Sequence, residues 1–324
     1  MRRREFITLL GGAGLAPVVA RAEQAMPVIG VLSSASSRDY ASGLAAFRNG
    51  LRESGYVDGQ NVRIEYVFAN EQYDRLPGLG ADLERRQVKL IVAMATPAAL
   101  ALKSAVTTTP IVFGMSGDPV RTGLVESLSK PGGNLTGAAH MNVEIAPKRI
   151  ELLHEVLPAE KRLGLLVNPT NPVSQSVSTE MKSAAIALGI ELEVIDAHDD
   201  EEIDRAFAGL AGLKVGGLVI GTDPFFTSRA EKMGGLSLAV KIPAIYQYRE
   251  FVAGGGLMSY GGDNTDSYYQ VGLYAGRILK GEKPGNLPVQ LSTKVQFFLN
   301  LKTARLLGLS VPLALSGRAD EVIE

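Results

Sequence analysis

The stretch from Val88 to Val120 constrains the fold more than any other part of this sequence. An unbroken apolar run, Leu90 to Met94, stops at Thr96-Pro97, and proline suits the first turn of a helix, where its missing N–H needs no partner. An alanine-rich segment follows, and a second apolar run ends in the polar loop Gly114 to Pro119. Apolar strands separated by a short helix indicate a parallel sheet that is covered on both faces. Ligands of such sheets bind at the carboxyl ends of the strands, which makes Thr96, Pro97 and Asp118 candidate contacts.

The same arrangement recurs later in the chain. Val215 to Ile220 is again apolar, Thr222-Asp223-Pro224 takes the place of Thr96-Pro97, and a strand over Ala244 to Tyr246 ends in polar residues. An earlier pair of predicted strands, one before the serines at Ser33 and one before Asn168, matches in the same order. Chance would explain one such match between α/β segments, whereas two in order favour an internal duplication. The sequence therefore predicts two Rossmann-like lobes with parallel sheets.

Composition narrows the function classes. The chain has 324 residues, 46% of them hydrophobic, which is enough for two medium-sized lobes with cores of their own. A formal net charge of -1 gives no reason to expect nucleic acid or an anionic membrane surface as a partner. The sequence has no cysteine, which excludes disulfides and thiolate nucleophiles, and its three histidines lack metal-ligand spacing. We therefore expect neither a metal nor another cofactor.

Residues 1–22 have the features of a bacterial export signal. Three arginines, Arg2 to Arg4, precede an apolar region that is too short to span a bilayer, and Ala20-Arg21-Ala22 has the small residues of a cleavage site. Arg3-Arg4 also fits a twin-arginine signal, while a general secretory signal would use the same arginine cluster. We expect a periplasmic protein whose signal peptide is cleaved near Ala22.

Other candidate contacts lie in loops with two interpretations each. Ser33 and Ser34 belong to a serine-rich loop, whose hydroxyl and N–H groups favour anionic or polar ligand groups, although helix capping would explain one serine. Asn168 fits a ligand contact or an ordinary Asn-Pro turn. The glycines Gly254 to Gly256, before Tyr260 and Asp263, fit a hinge at a crossing between the lobes or a tight turn.

Ordered motifs along the whole mature chain resemble one protein family, the ABC-transporter substrate-binding proteins that include the tryptophan-type binding protein. The motifs are Tyr73-Asp74-Arg75-Leu76-Pro77, Ala95-Thr96-Pro97-Ala98-Ala99, Gly117-Asp118-Pro119-Val120, Lys130 to Gly137, Lys148-Arg149-Ile150-Glu151-Leu152-Leu153, Val167-Asn168-Pro169 and Asn300 to Ala304. The resemblance implies a type I periplasmic-binding-protein fold, with three segments crossing between the lobes and a small-molecule ligand in the cleft. It also implies an inner-membrane ABC permease as the partner.

The duplication and the resemblance together predict boundaries and a site. We expect residues 28–138 and 262–288 to form lobe 1 and residues 139–261 and 289–324 to form lobe 2, joined by a three-segment hinge. Tyrosines in the site would stack on an apolar part of the ligand. The candidate contacts are Ser33, Ser34, Thr96, Pro97, Asp118, Asn168, Asp223, Tyr246, Tyr260 and Asp263.

Three functions are consistent with this reading. The leading hypothesis is a monomeric periplasmic solute-binding protein of an ABC importer, and the resemblance favours an amino acid or an aromatic or carboxylated compound over a sugar. A ligand-sensing subunit of a membrane signalling system would keep the fold and change the partner. An exported hydrolase could use Asp118 and Asp223 as facing carboxylates. Because the sequence has neither a nucleophile elbow nor a phosphate loop, we expect no catalytic residue.

Overall fold

The computed structural model describes residues 26–38 and 40–324, and the predicted export signal lies outside them. The strands are β1 (Val28–Ser33), β2 (Arg63–Phe68), β3 (Leu90–Met94), β4 (Ile111–Ser116), β5 (Leu135–His140), β6 (Arg162–Val167), β7 (Glu191–Asp196), β8 (Leu218–Ile220), β9 (Ala244–Tyr246), β10 (Met258–Gly262), β11 (Gln290–Ser292), β12 (Val295–Asn300) and β13 (Glu321–Ile323). The helices are α1 (Ala41–Glu53), α2 (Leu76–Arg85), α3 (Thr96–Ala105), α4 (Ala146–Val156), α5 (Ser174–Ala187), α6 (Asp200–Leu213), α7 (Pro224–Ser228), α8 (Ala230–Ala239), α9 (Arg249–Ala253), α10 (Asn264–Leu279), α11 (Leu301–Leu306) and α12 (Leu313–Ser316), with 3-10 turns at Tyr73–Arg75 and Pro284–Asn286. No helix in these residues has the length and apolar composition that a membrane span requires.

The strands form two sheets with the same five-strand centre. The first sheet has the order β11-β5-β4-β3-β1-β2 and is parallel throughout. The second has the order β13-β12-β10-β9-β8-β6-β7, and only β12 and β10 pair antiparallel. The order β5-β4-β3-β1-β2 thus recurs as β10-β9-β8-β6-β7, with β8 in the place of β3 and β9 in the place of β4. The predicted α/β class with two Rossmann-like lobes is confirmed.

Strand β3 shows how the apolar runs build the lobes. All five of its residues are buried. Leu90, Val92 and Met94 pack with residues of α1 and α10, whereas Ile91 and Ala93 pack with residues of α2 and α3. Because successive side chains of a strand point to opposite faces, a strand that is covered on both faces needs an unbroken apolar run. For this reason, the unbroken apolar run was enough to predict the strand from the sequence.

Helix α10 packs on lobe 1 although it follows β10 of the second sheet. A Cβ atom on Gly50 of α1 would lie 2.1 Å from the carbonyl oxygen of Tyr269, and one on Gly272 of α10 would lie 2.2 Å from that of Phe47. Only glycine permits two helix backbones to approach this closely. The close packing fixes α10 to lobe 1, so the chain must cross between the lobes just before it.

Within residues 26–38 and 40–324, the chain passes between the sheets at three places. These are residues 141–145 between β5 and α4, residue 263 between β10 and α10, and residues 293–294 between β11 and β12. In the first sheet, β5 ends at His140, two residues after the predicted limit 138, and β11 (Gln290–Ser292) lies wholly after the predicted limit 288. The glycines Gly254 to Gly256 lie away from all three crossings. A Cβ on Gly254 would lie 2.3 Å from the carbonyl oxygen of Glu231 in α8, so these glycines form a tight turn within lobe 2 and not the hinge.

Candidate functional site

A cavity lies between the two lobes, where the carboxyl ends of both sets of parallel strands meet. The empty space there, part of which is open to solvent, is about 400 Å³. Both lobes contribute to the lining, which is mostly polar or aromatic: Tyr40, Ala95, Thr96, Ser116, His140, Val143, Asn171, Val173, Thr222, Asp223, Pro224, Thr227, Gln247, Tyr248, Asn264 and Tyr268. A small space with convergent hydrogen-bonding groups is typical of a small-molecule site.

Asp223 places a buried carboxylate on this cavity. It follows β8 and caps α7, because its Oδ1 accepts a 2.7 Å hydrogen bond from the backbone N–H of Phe225. Oδ1 also accepts from Asn168 Nδ2 at 3.2 Å, and Oδ2 accepts from Asn171 Nδ2 at 2.6 Å. Burial raises the pKa of Asp223, while these donors oppose the shift. Every side-chain or backbone group that bonds it within the described residues is neutral.

Tyr73 of lobe 1 reaches across the cleft to the same carboxylate. Its hydroxyl donates to Asp223 Oδ1 at 3.0 Å and accepts from the N–H of Phe225 at 3.3 Å. Burial, followed by the neighbouring carboxylate, raises the pKa of Tyr73, so its hydroxyl keeps the proton that it donates. Arg121 on lobe 1 and Glu180 on α5 form a second link between the lobes, exposed to solvent. The lobes are therefore closed on each other.

Arg149, on α4, is fully buried behind the wall of the cavity. Its Nε donates to the carbonyl of Tyr260 at 2.8 Å, its Nη1 to Thr222 Oγ1 at 3.1 Å, and its Nη2 to the carbonyl of Asn142 at 2.9 Å. Burial lowers the pKa of Arg149 to about 10, which leaves the guanidinium protonated at neutral pH. Asn142 lies in the first crossing, and Tyr260 lies in β10 shortly before the second. One charged side chain thus ties the cavity wall to two segments that join the lobes.

His140, at the end of β5, contacts a hydroxyl from each lobe. Its Nε2 lies 2.8 Å from Ser116 Oγ and 3.4 Å from the hydroxyl of Tyr248. Burial lowers the pKa of His140 to about 4, and the carboxylate of Asp263 opposes that shift. The imidazole is therefore neutral at physiological pH. A base with so low a pKa is poorly matched to activating Ser116, which argues against a hydrolase.

Two of the predicted contacts, Thr96 and Asp223, line the cavity. They lie at the starts of α3 and α7, within three residues of the ends of the equivalent strands β3 and β8. Thr96 Oγ1 donates to the carbonyl of Ser116 at 2.8 Å, which fixes the first turn of α3 to the end of β4. The duplicated topology therefore brings these two residues to one space from opposite lobes.

Four other predicted contacts are not in the lining of the cavity. Ser33 and Ser34 are buried, and Ser34 Oγ accepts a 3.0 Å hydrogen bond from the N–H of Ala98, which serves the start of α3. Ser33 Oγ accepts from the N–H two residues on, at 3.3 Å. Pro97 lines a neighbouring groove between the lobes. Asn168 donates to the carboxylate of Asp223, so it would act on a ligand only through that carboxylate.

The remaining four predicted contacts serve local structure. Asp118 Oδ1 accepts from the N–H of Val120 at 2.7 Å, and Asp263 caps α10. Tyr246 is completely buried in lobe 2, and Tyr260 packs edge-on against Phe297 at 6.3 Å between ring centroids. Because Asp118 does not line the cavity that holds Asp223, the two carboxylates do not share one space as the hydrolase hypothesis requires.

Sequence reasoning did not select several residues that line the cavity. Ser116, Gln247 and Tyr248 lie beside residues that it did select, at the ends of β4 and β9. His140, one of the three histidines without metal-ligand spacing, ends β5 at the same edge of the sheet. The available signal was the strand end itself. What the sequence could not show is which of two consecutive residues points inward.

One group of side chains with metal-ligand chemistry occurs in the described part of the chain. His198, Asp199 and Glu202 lie together at the exposed start of α6. Asp199 caps that helix by accepting from the N–H of Glu202 at 2.7 Å, and His198 Nδ1 lies 2.6 Å from a Glu202 oxygen. Capping and this contact account for the cluster without an ion.

Comparison with known proteins agrees with the geometry. The profile of the family described as "ABC transporter substrate binding protein" matches residues 26–323. The chain belongs to this family. A tyrosine-binding protein of Clostridioides difficile (strain R20291) is 28% identical over 262 residues, which cover 81% of this chain and 75% of that protein.

Solved structures also match. A conserved domain protein from Vibrio cholerae has a TM-score of 0.83 at 28% identity, covering 92% of this chain and 99% of that one. The ABC domain in complex with L-Trp from Streptococcus pneumonia has a TM-score of 0.81, again at 28% identity and with coverage of 92% and 99%. A ligand-free, open substrate-binding protein from Clostridium difficile gives 0.62 at 25% identity, with the same coverage. The better match to the complex agrees with the closed lobes.

Proposed function

We propose that this substrate-binding protein captures an aromatic α-amino acid between its lobes and delivers it to an inner-membrane ABC permease. The observation that carries the proposal is the carboxylate of Asp223, which is buried at the cavity and bonded only to neutral groups of the described residues. A buried charge without a counter-ion is costly, and the ammonium group of an amino acid would offset that cost.

Two other features support an amino acid with an aromatic side chain. The first turn of α3 lines the cavity at Ala95 and Thr96, and a helix N-terminus favours an anionic group such as the ligand carboxylate. Tyr40, Tyr248 and Tyr268 give the lining an aromatic part, with Tyr40 and Tyr268 edge-to-face at 5.8 Å. An ammonium on lobe 2 and a carboxylate on lobe 1 would let one ligand hold both lobes, which is the condition for ligand-driven closure. The relatives that bind tyrosine and L-Trp are consistent with this chemistry.

Calorimetric titration tests the proposed ligand class. L-Tyrosine and L-tryptophan should each bind with one-to-one stoichiometry, while a neutral sugar such as glucose should give no heat of binding. Mass spectrometry of small molecules released from the purified protein should identify an amino acid. Binding of the sugar, or of neither amino acid, would contradict the proposal.

Closure should depend on Tyr73. Changing Tyr73 to phenylalanine removes the hydrogen bond to Asp223 from the closed state alone, and such a bond to a charged group is worth about 1.5–3 kcal/mol. We expect the affinity of Tyr73→Phe for its ligand to fall by tenfold or more. In X-ray scattering, the radius of gyration of the variant should decrease only at a correspondingly higher ligand concentration. Arg121→Met breaks the exposed link to Glu180 and serves as the control, with an expected change below about fivefold. Equal effects of the two variants would show that Tyr73 has no special role in closure.

Export to the periplasm and delivery to a permease complete the proposal. We expect the N-terminal sequence of the periplasmic protein to begin Glu23-Gln24-Ala25, as cleavage after Ala22 requires. If the route is the twin-arginine one, the double change Arg3→Lys and Arg4→Lys should leave folded protein in the cytoplasm. A periplasmic protein that retains Met1 would contradict the cleavage. Permease and ATPase genes beside this one would support delivery, whereas a sensor gene there would support the signalling alternative.

A further inference from the structure

A chain of hydrogen bonds fixes the orientation of the Gln247 side chain. Gln247 Nε2 lies 3.1 Å from the hydroxyl of Tyr246, which lies 3.0 Å from Thr227 Oγ1, which in turn lies 2.9 Å from the carbonyl oxygen of Asp223. The carbonyl can only accept, so the Thr227 hydroxyl must donate to it. The one proton of the Tyr246 hydroxyl goes to Thr227 Oγ1 or, at 3.4 Å, to the same carbonyl oxygen of Asp223, so Tyr246 accepts from Gln247. Since only the amide nitrogen of Gln247 can donate, that nitrogen must face Tyr246.

The orientation leaves the amide oxygen of Gln247 as a fixed acceptor. Gln247 lines the cavity and is 3% exposed. Its Oε1 is buried and has no hydrogen-bond partner among the described residues. An unpaired buried acceptor is uncommon, because it costs free energy unless a donor meets it. A ligand is the donor that can arrive from the cavity.

A second acceptor belongs to the same network. Three donors surround Asp223 Oδ1, namely the Tyr73 hydroxyl, Asn168 Nδ2 and the N–H of Phe225. Oδ2 accepts one bond, from Asn171 Nδ2, and a carboxylate oxygen has room for another. The backbone of Asp223 is also where the hydrogen-bond chain from Gln247 ends, so one hydrogen-bond network of lobe 2 holds both acceptors.

We propose that Gln247 Oε1 and Asp223 Oδ2 form a two-acceptor subsite for a primary ammonium group, with Tyr246 as the residue that positions the Gln247 amide. The inference rests on the proposed function and identifies the ammonium group as the part of the ligand that these two acceptors bind. A primary ammonium has three donors, enough for both acceptors. A carboxylic acid without the amine supplies no donor at this place, so Gln247 Oε1 stays unpaired and Asp223 Oδ2 keeps only its bond from Asn171. The subsite therefore selects amino acids against their desamino analogues.

The test uses two probes that differ only in the amine, L-tyrosine and 3-(4-hydroxyphenyl)propionate. Wild-type protein should bind L-tyrosine at least tenfold more tightly. Gln247→Met should weaken L-tyrosine binding by about ten- to a hundredfold, since one bond to a charged group is lost, and should change the propionate affinity less than threefold. Gln247→Glu keeps an acceptor at this place and should retain L-tyrosine binding. Tyr246→Phe frees the amide to rotate and should weaken L-tyrosine binding selectively, by a smaller factor.

The outcomes separate this inference from the proposed function. Binding of L-tyrosine with unchanged affinity in Gln247→Met, or equal weakening of both probes, would overturn the inference and leave the proposed function in place. If the wild type binds none of L-tyrosine, L-tryptophan and the propionate, both the inference and the proposed function are overturned. If Gln247→Met does not fold, as judged by its melting curve, Tyr246→Phe decides: selective loss of L-tyrosine supports the subsite, and equal loss of both probes overturns it.

Discussion

Replacing Arg149 by methionine should lower the free energy of unfolding by roughly 3 to 5 kcal/mol. Methionine fills much of the same volume but donates no hydrogen bond, so the carbonyl oxygens of Asn142 and Tyr260 lose their contacts with the guanidinium. Each buried acceptor left without a donor costs about 1–3 kcal/mol, and the hydroxyl of Thr222 loses a charged neighbour as well. In a thermal melt followed by circular dichroism, the midpoint should fall by about 10 °C.

Two further variants define what this loss means. Arg318→Met removes a half-exposed arginine that pairs with Glu155, and its melting temperature should change little, because exposed ion pairs contribute at most about 1 kcal/mol. Arg149→Lys keeps the positive charge but cannot reach three acceptors with the planar geometry of a guanidinium, so it should fall between the two. If Arg149→Met melts with the wild type, the hydrogen bonds around Arg149 do not hold the crossings to lobe 2.

The layout of the two sheets was predictable because buried parallel strands must be apolar throughout. Leu90 to Met94 and Val215 to Ile220 show this directly, and the helix-starting prolines after them mark where each strand ends. The same rule placed Thr96 and Asp223 correctly at the carboxyl edge of their sheets. An apolar run followed by proline was enough to predict these positions, because the end of a strand depends on residues that are neighbours in the sequence.

The direction of individual side chains was not predictable. Tyr246 is the last residue of β9 and points into the core of lobe 2, whereas Gln247, one residue later, lines the cavity. A shift of one position reverses the side chain, and the sequence does not mark the register to that precision. Arg149 could not be found either, because its partners come from three separate segments that only the folded chain brings together.

Asp223 has two roles in this structure. It caps α7 through the N–H of Phe225, and it is the carboxylate that the cavity offers to a ligand ammonium. Its other neighbours, Asn168, Asn171 and Tyr73, all donate to it, so they require an acceptor at this place. A substitution should therefore change stability and ligand affinity together.

Asp223→Asn should weaken the binding of L-tyrosine at least a hundredfold and lower the free energy of unfolding by about 1–3 kcal/mol. The affinity falls because the ammonium loses its counter-charge in a buried site, where removing one partner of a charge pair costs about 3–5 kcal/mol. The stability falls because donors contact both oxygens of Asp223, whereas an asparagine side chain has one oxygen and one NH₂ group. The NH₂ group must therefore face a donor, either Asn171 Nδ2 or the donors around Oδ1, and that hydrogen bond is lost. Calorimetric titration gives the first quantity and a denaturant melt gives the second.

Asp199→Asn provides the matched control for this variant. Asp199 caps α6 by accepting from the N–H of Glu202 and is exposed away from the cavity, so the same chemical change there should cost at most about 1 kcal/mol of stability and leave ligand affinity unaltered. If Asp223→Asn behaved like Asp199→Asn, with a small loss of stability and unchanged affinity, Asp223 would be a helix cap alone, and the ammonium would have to bind elsewhere. If the loss of affinity persists when the titration is run well below the melting temperature of Asp223→Asn, the variant is folded, and the negative charge of Asp223 contributes to ligand binding.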